Sequence, residues 1–242
     1  MQFFKKYVIL FFVMIEYFVE LLASFLAVII IITLHEFAHA FVAYKCGDPT
    51  AKFYGRMTLN PAKHFDPLGM LAFALVGFGW AKPVPINPYN FKNYKKGSVL
   101  TASAGIIINY VTAFFFYPLA ILTLLYVVPN FTGTYMEYFL TMFVGCLFTY
   151  SLSFCVFNLL PFYPLDGFRI VDALNERQGR IYRFLRQYGY YILLGLMMIS
   201  LLADRIPAFG AFDVLHYVMR FAVDIIGKPI TACWNPILEA IL

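Results

Sequence analysis

Charged side chains are scarce: 18 Lys and Arg and 13 Asp and Glu make up 13% of the 242 residues. A soluble domain carries about twice that share, and here 62% of residues are hydrophobic and 20% aromatic, so a soluble globular fold is excluded in favour of a polytopic membrane protein. Cysteine is sparse too. Cys46, Cys146, Cys155 and Cys233 form no Cys-x-x-Cys pair, which argues against a thiolate metal site or a disulfide framework. The formal net charge of +5 does not form a nucleic-acid-binding face, because the basic residues sit in short loops between apolar runs. A cleavable leader pattern is missing: Lys5 and Lys6 precede an apolar run, but Glu16 and Glu20 interrupt it and no small-residue site follows. There is also no internal repeat of the kind that builds paired transporter halves.

Against this background, His35-Glu36-Phe37-Ala38-His39 stands out. Histidines four residues apart share one helix face, where they can grip a single zinc ion while the intervening glutamate acts as general base. Leu21 to Thr33 leads into the motif without a charge, so the pair lies at membrane depth, where ionisable groups are costly and mark function. Five residues alone are also compatible with two packed histidines and a chance glutamate. A third ligand decides between these readings.

A spanning helix takes about 20 apolar residues. The pattern predicts an N-terminal apolar or interfacial helix over 1–20, a span over 21–44 carrying the motif, and spans over 98–128, 138–160 and 188–202. Tail helices follow over 204–242. A short strand is predicted over 52–60 from its partial alternation. A re-entrant segment is predicted over 69–80, which is apolar but short and holds three glycines. The fold class is thus an all-α polytopic membrane protein of one domain (core 21–203), with about five to six transmembrane helices and a small membrane-associated β element.

Lysines and arginines cluster between the motif span and the next (Lys45, Lys52, Arg56, Lys63, Lys82, Lys92, Lys95, Lys96) and again after 138–160 (Arg169, Arg177, Arg180, Arg183, Arg186); 129–137 holds none. By the positive-inside rule both basic regions face the cytoplasm. The span 138–160 therefore ends on the same side as the motif helix. Immediately beyond it runs Asn158-Leu159-Leu160-Pro161-Phe162-Tyr163-Pro164-Leu165-Asp166-Gly167. The two prolines cannot continue a helix and unwind the chain just before Asp166. Two histidines and one carboxylate make a three-ligand site with the fourth position open.

These blocks, with Gly105 to Asn109, Gly55 to Pro61, Lys63 to Gly69 and Gly79 to Pro85, resemble the site-2 protease family of intramembrane zinc metalloproteases, in its compact prokaryotic form without a PDZ domain. Ile106 departs from the proline that relatives often carry there. The resemblance implies one zinc per chain, held by His35, His39 and Asp166, with Glu36 as general base. It implies hydrolysis of a peptide bond within or beside a substrate's transmembrane helix, in a prokaryotic cell membrane, with the active site toward the cytoplasm. The partners are a transmembrane protein or peptide and the bilayer, with no nucleic acid; the oligomeric state stays open. Asn158 and Asn109 are read as substrate or oxyanion contacts, and His64 as a gate or an outer-layer residue. The strand at 52–60 would offer an edge to an unwound substrate. Two rival readings are an inert membrane-protein-binding homologue and a metal or proton transporter.

Overall fold

The computed structural model describes residues 2–77 and 79–241. The first element, α1 (Gln2–Cys46), is a single helix of 45 residues, about 67 Å long at 1.5 Å per residue. The division near residue 20 does not exist. Glu16 and Glu20 interrupt hydrophobicity but not helix propensity, and Gln2 to Cys46 contains neither glycine nor proline. The helix stops where Gly47 takes a left-handed φ of 113° ahead of Pro49.

Next come α2 (Thr50–Phe53), α3 (Pro67–Val76) and α4 (Tyr94–Leu122). The expected strand over 52–60 is absent. Thr50–Phe53 is one helical turn, and the backbone that follows bonds back locally, Gly55 N–H to Lys52 O and Arg56 N–H to Ala51 O. Gly55 adopts φ 62°, which ends any extended run. Among the described residues the β structure is an isolated antiparallel bridge, Phe65 to Ala81.

That bridge closes the segment expected to be re-entrant. Asp66 caps α3 by accepting from Leu68 and Gly69 N–H, and Pro67 begins it. Gly77, at φ 76°, turns the chain back. The returning arm lies so close that a Cβ on Gly69 would sit 2.0 Å from Trp80 O, and one on Gly79 would sit 2.1 Å from Gly69 O. The excursion leaves and re-enters at one point. An extended strap, Lys82 to Asn87, then leads toward α4.

A π turn (Thr123–Val127) and a 3-10 turn (Val128–Phe131) carry α4 into the short loop before α5 (Tyr135–Leu159). Beyond α5 lie α6 (Asp166–Leu174), α7 (Arg180–Ala203) and α8 (Val214–Ile241). Among the described residues, four helical stretches are long and apolar enough to cross a bilayer: Leu10–Cys46, Tyr94–Phe131, Tyr135–Leu159 and Arg180–Ala203. The tail holds a 3-10 turn (Pro207–Phe212) and one long helix, α8, which carries Arg220, Asp224 and Lys228 and two internal prolines. The bundle centre is α1, α4 and α5, each packed on the other two. Ala113, Leu152 and Ile230 join α4, α5 and α8 in a buried cluster.

Candidate metal centre

One helical turn apart on α1, His35 and His39 face inward and are 7% and 3% exposed. Asp166 reaches them from the other side of the bundle. After α5 the chain crosses Pro161 and a cis Tyr163–Pro164 bond and folds back against the helix it has just left. The return is tight enough that a Cβ on Gly167 would lie 2.4 Å from Leu159 O. Asp166 opens α6, where a negative charge suits the helix N-terminus.

His35 Nε2, His39 Nε2 and Asp166 Oδ2 form a triangle with edges of 3.0, 3.0 and 3.2 Å. Asp166 Oδ2 is buried and accepts no aligned hydrogen bond, an arrangement that would be costly unless something else filled its place. Zinc bonds of about 2.0–2.1 Å in a tetrahedron put neighbouring ligand atoms about 3.3 Å apart, so the triangle takes the ion with an expansion of a few tenths of an ångström. Two neutral nitrogens and one carboxylate oxygen suit zinc and leave a position for a reactant. Oδ1 of the same carboxylate turns outward, 3.8 Å from Arg169 Nη1.

Glu36 lies between the histidines at the wall of a cavity of about 790 Å3 that also exposes all three triad residues. Its Oε2 accepts a 2.8 Å hydrogen bond from Val84 N–H in the strap. The strap is held at both ends. Buried Arg56 donates from Nη2 to Lys82 O (2.6 Å) and Pro83 O (3.3 Å). At the far end, fully buried Asp48 accepts from Asn87 N–H at 2.7 Å and from Asn90 Nδ2 at 2.8 Å. Away from the triad the cavity is mostly apolar, with Phe73, Phe154, Phe157, Leu193 and Met197 in its wall.

The structure thus brings His35, His39, Asp166 and Glu36 to one cavity, and Asn158 lines the same cavity. Asn158 Nδ2 donates to Phe154 O at 3.0 Å. Asn109 is elsewhere. It is fully buried behind His35, with its amide nitrogen 3.0 Å from His35 Nδ1, and it is not among the residues that line the cavity. His64 also stands outside the triad. Its Nε2 pairs with Thr58 O at 2.8 Å, and its carbonyl accepts Lys82 N–H at 2.9 Å, closing the base of the α3 excursion. Three contributors went unread in the sequence. Thr101 O (2.7 Å from His39 Nδ1) and Val84 N–H are backbone groups that leave no residue-type signal. Arg56 looked like one more topological charge.

A membrane-embedded helix that presents two histidines and a glutamate, met by an aspartate on a reversed turn, defines the class as a zinc-dependent hydrolase acting at the bilayer. The chain belongs to peptidase family M50, whose family model matches residues 23–200. It is a zinc metalloprotease integral to the membrane. The chain is 36% identical over 216 residues to YwhC of Bacillus subtilis (strain 168), provisionally named a zinc metalloprotease, covering 88% of this chain and 93% of that one. It is 26% identical over 174 residues to Rip2 of Mycolicibacterium smegmatis (strain ATCC 700084 / mc(2)155), which carries the same provisional name, covering 68% of this chain and 62% of that one. No solved structure shows significant similarity to the chain.

Proposed function

We propose that His35, His39 and Asp166 hold the zinc and that Glu36 is the general base in hydrolysis of a peptide bond within or beside a transmembrane segment of a membrane-protein substrate. The observation that carries this reading is the convergence of three buried ligand atoms within 4.8 Å, next to a carboxylate in the wall of one cavity. When bound, zinc supplies Lewis acidity that polarises a carbonyl and brings water toward deprotonation near neutral pH. Glu36 accepts the proton as the water oxygen bonds to the scissile carbon. It returns that proton to the amide nitrogen as the C–N bond breaks, giving a carboxylate and a free amine. Val84 N–H occupies one Glu36 oxygen and leaves the other to carry the proton.

Asn158 uses one amide N–H on Phe154 O. Its second N–H and its Oδ1 remain for a peptide backbone or for the charge that develops on the carbonyl oxygen. A helical substrate hides its amides in its own hydrogen bonds and must unwind before one reaches Glu36. The cavity is in the size range that holds a small ligand, which suits a short extended stretch rather than a helix about 30 Å long. The strap and α6 both lie in the basic, positive-inside regions, so the active site opens toward the cytoplasmic side. Residues 1–242 act as a single protease unit.

The test uses the purified full chain in detergent with a single-span model substrate. Glu36→Gln keeps one zinc per chain and lowers cleavage by about 10²–10⁴-fold, whereas Asp166→Ala loses the zinc. Cleavage at the parent rate by Glu36→Gln would sink the assignment, as would unchanged zinc affinity in Asp166→Ala.

A further inference from the structure

α4 touches the two imidazoles at three successive turns. Thr101 O lies 2.7 Å from His39 Nδ1. Gly105 comes so near that a Cβ there would sit 2.4 Å from His35 Cε1 and from His39 Nε2. Asn109 reaches His35 Nδ1. Residues 101, 105 and 109 are each four apart and share one face of the helix.

The Thr101 contact has a single chemical sense. A carbonyl oxygen only accepts, so His39 donates from Nδ1 and its Nε2 presents a lone pair to the triangle's centre. For His35 to do the same, its Nδ1 must carry the hydrogen and must meet an acceptor. The amide NH2 of Asn109 is a donor and cannot serve. The acceptor is the other end of that amide, Asn109 Oδ1, which is buried and without a hydrogen bond in the present orientation. The two ends of an asparagine amide are nearly identical in shape and are told apart by their hydrogen bonds. A half-turn about the Cβ–Cγ bond puts Oδ1 where the nitrogen now stands, 3.0 Å from His35 Nδ1.

We infer that Asn109 is a positioning residue for the metal centre: its side-chain carbonyl accepts His35 Nδ1–H and, with Thr101 O, fixes both imidazoles as Nε2 ligands. This rests on His35 and His39 holding the zinc, and it gives Asn109 a role that needs no contact with substrate. It also accounts for a fully buried amide on an apolar helix, a placement that is expensive unless the amide is bonded. Ligating histidines commonly donate their second N–H to such an acceptor, and removing the acceptor typically weakens metal binding by about 10–100-fold.

The test is zinc affinity of the full chain in detergent, measured by competition with a chelator, for the parent, Asn109→Leu, Asn109→Asp and His35→Ala. Asn109→Leu weakens zinc binding by about 10–100-fold, while Asn109→Asp, which still offers an oxygen acceptor, stays within about threefold or binds more tightly. At saturating zinc, KM for the model substrate is unchanged in Asn109→Asp. Parental zinc affinity in Asn109→Leu overturns the inference, and so does loss of zinc from Asn109→Asp or a raised KM at saturating zinc. If Asn109→Leu does not fold, Asn109→Asp decides alone: retained zinc affinity with an oxygen acceptor at this position supports the inference, and loss of zinc overturns it. Equal zinc affinity in the parent and in His35→Ala would instead refute the ligand assignment itself.

Discussion

Gly105→Ala adds one methyl group, and its two effects have opposite signs. Alanine in a helix interior is favoured over glycine by about 1 kcal/mol, so α4 taken alone gains stability. The new Cβ, however, would sit 2.4 Å from His35 Cε1 and His39 Nε2 and 2.6 Å from His35 Nε2, where an ordinary contact is about 3.5 Å. The rings must therefore retreat by about 1 Å, whereas ligand distances in a working metal site hold to about 0.2 Å. His39 is also tethered to Thr101 O at 2.7 Å. Withdrawing its ring breaks that bond and leaves a buried donor unpaired, at about 1–3 kcal/mol. A misplacement of about 1 Å in a catalytic constellation typically costs about 10²-fold. The expected variant is a fully helical protein with zinc affinity and cleavage each lower by at least about 10²-fold. Circular dichroism, zinc content after dialysis against a weak chelator, and cleavage of a single-span substrate measure the three properties. A Gly105→Ala protein that kept parental zinc content and rate would refute the close approach of α4 to the triad.

Three further outcomes follow from the elements around the site. Arg56→Gln frees the start of the strap from its anchor on Lys82 O and Pro83 O and so loosens Val84 N–H on Glu36. Single-turnover cleavage falls by about tenfold, a fraction of a full general-base contribution, with zinc content unchanged; a drop in zinc instead would mean that Arg56 supports the histidines. Gly69→Ala drives a methyl into backbone at Trp80 O, which has no rotamer to yield. Destabilisation of at least about 1–3 kcal/mol appears as faster proteolysis within 66–81 at unchanged total helicity, and equal proteolysis would discount the interlock. Asp48 gives a pH signature. Burial pushes its carboxyl upward, but the Thr50 hydroxyl, Asn90 Nδ2, Asn87 N–H and Thr50 N–H outweigh this and hold it below its ordinary value. Its contribution is therefore complete above the unfolded carboxylate pKa of about 3.9 and is lost as pH falls through the lowered folded value. Asp48→Asn should melt several degrees lower than the parent at about pH 7, and the gap should close in acid; a gap independent of pH would refute the charged network.

How much of this could be read from the sequence follows from where each signal resides. His35, Glu36 and His39 announce themselves because the period of the helix is written in their spacing. Asp166 was legible because Pro161 and Pro164 forbid helix next to a glycine that permits a tight return. The misreadings share a cause, the use of side-chain polarity as a proxy for backbone conformation. Glu16 and Glu20 looked like a break, yet both are good helix formers and α1 runs through them. Lys52 to Asn60 alternates like a strand, but a strand is defined by its partner, and here backbone hydrogen bonds close locally around Gly55. Asn109 was correctly seen to share a face with Gly105. Which neighbour that face meets is a tertiary fact, and in the fold it meets His35.

The same reasoning gives the glycine on α4 a role beyond close packing. Small residues on membrane helices usually serve to let two backbones approach, and on that basis Gly105 would be one packing position among several. The approach here carries a chemical consequence, because the group it delivers is a backbone carbonyl. Thr101 O lies one turn before Gly105 and can spare one of its two lone pairs for His39 Nδ1. A carbonyl cannot extend toward a distant ring as a side chain can, so the helix axis itself must come close, and only a residue without a Cβ allows that. Asn109, one turn further on, meets the other imidazole at the same separation of helices. Gly105 therefore sets the distance at which one backbone oxygen and one side-chain amide can both meet the two imidazoles of α1. The geometry of the candidate metal centre is set by the packing of α4 against α1 as much as by the motif on α1.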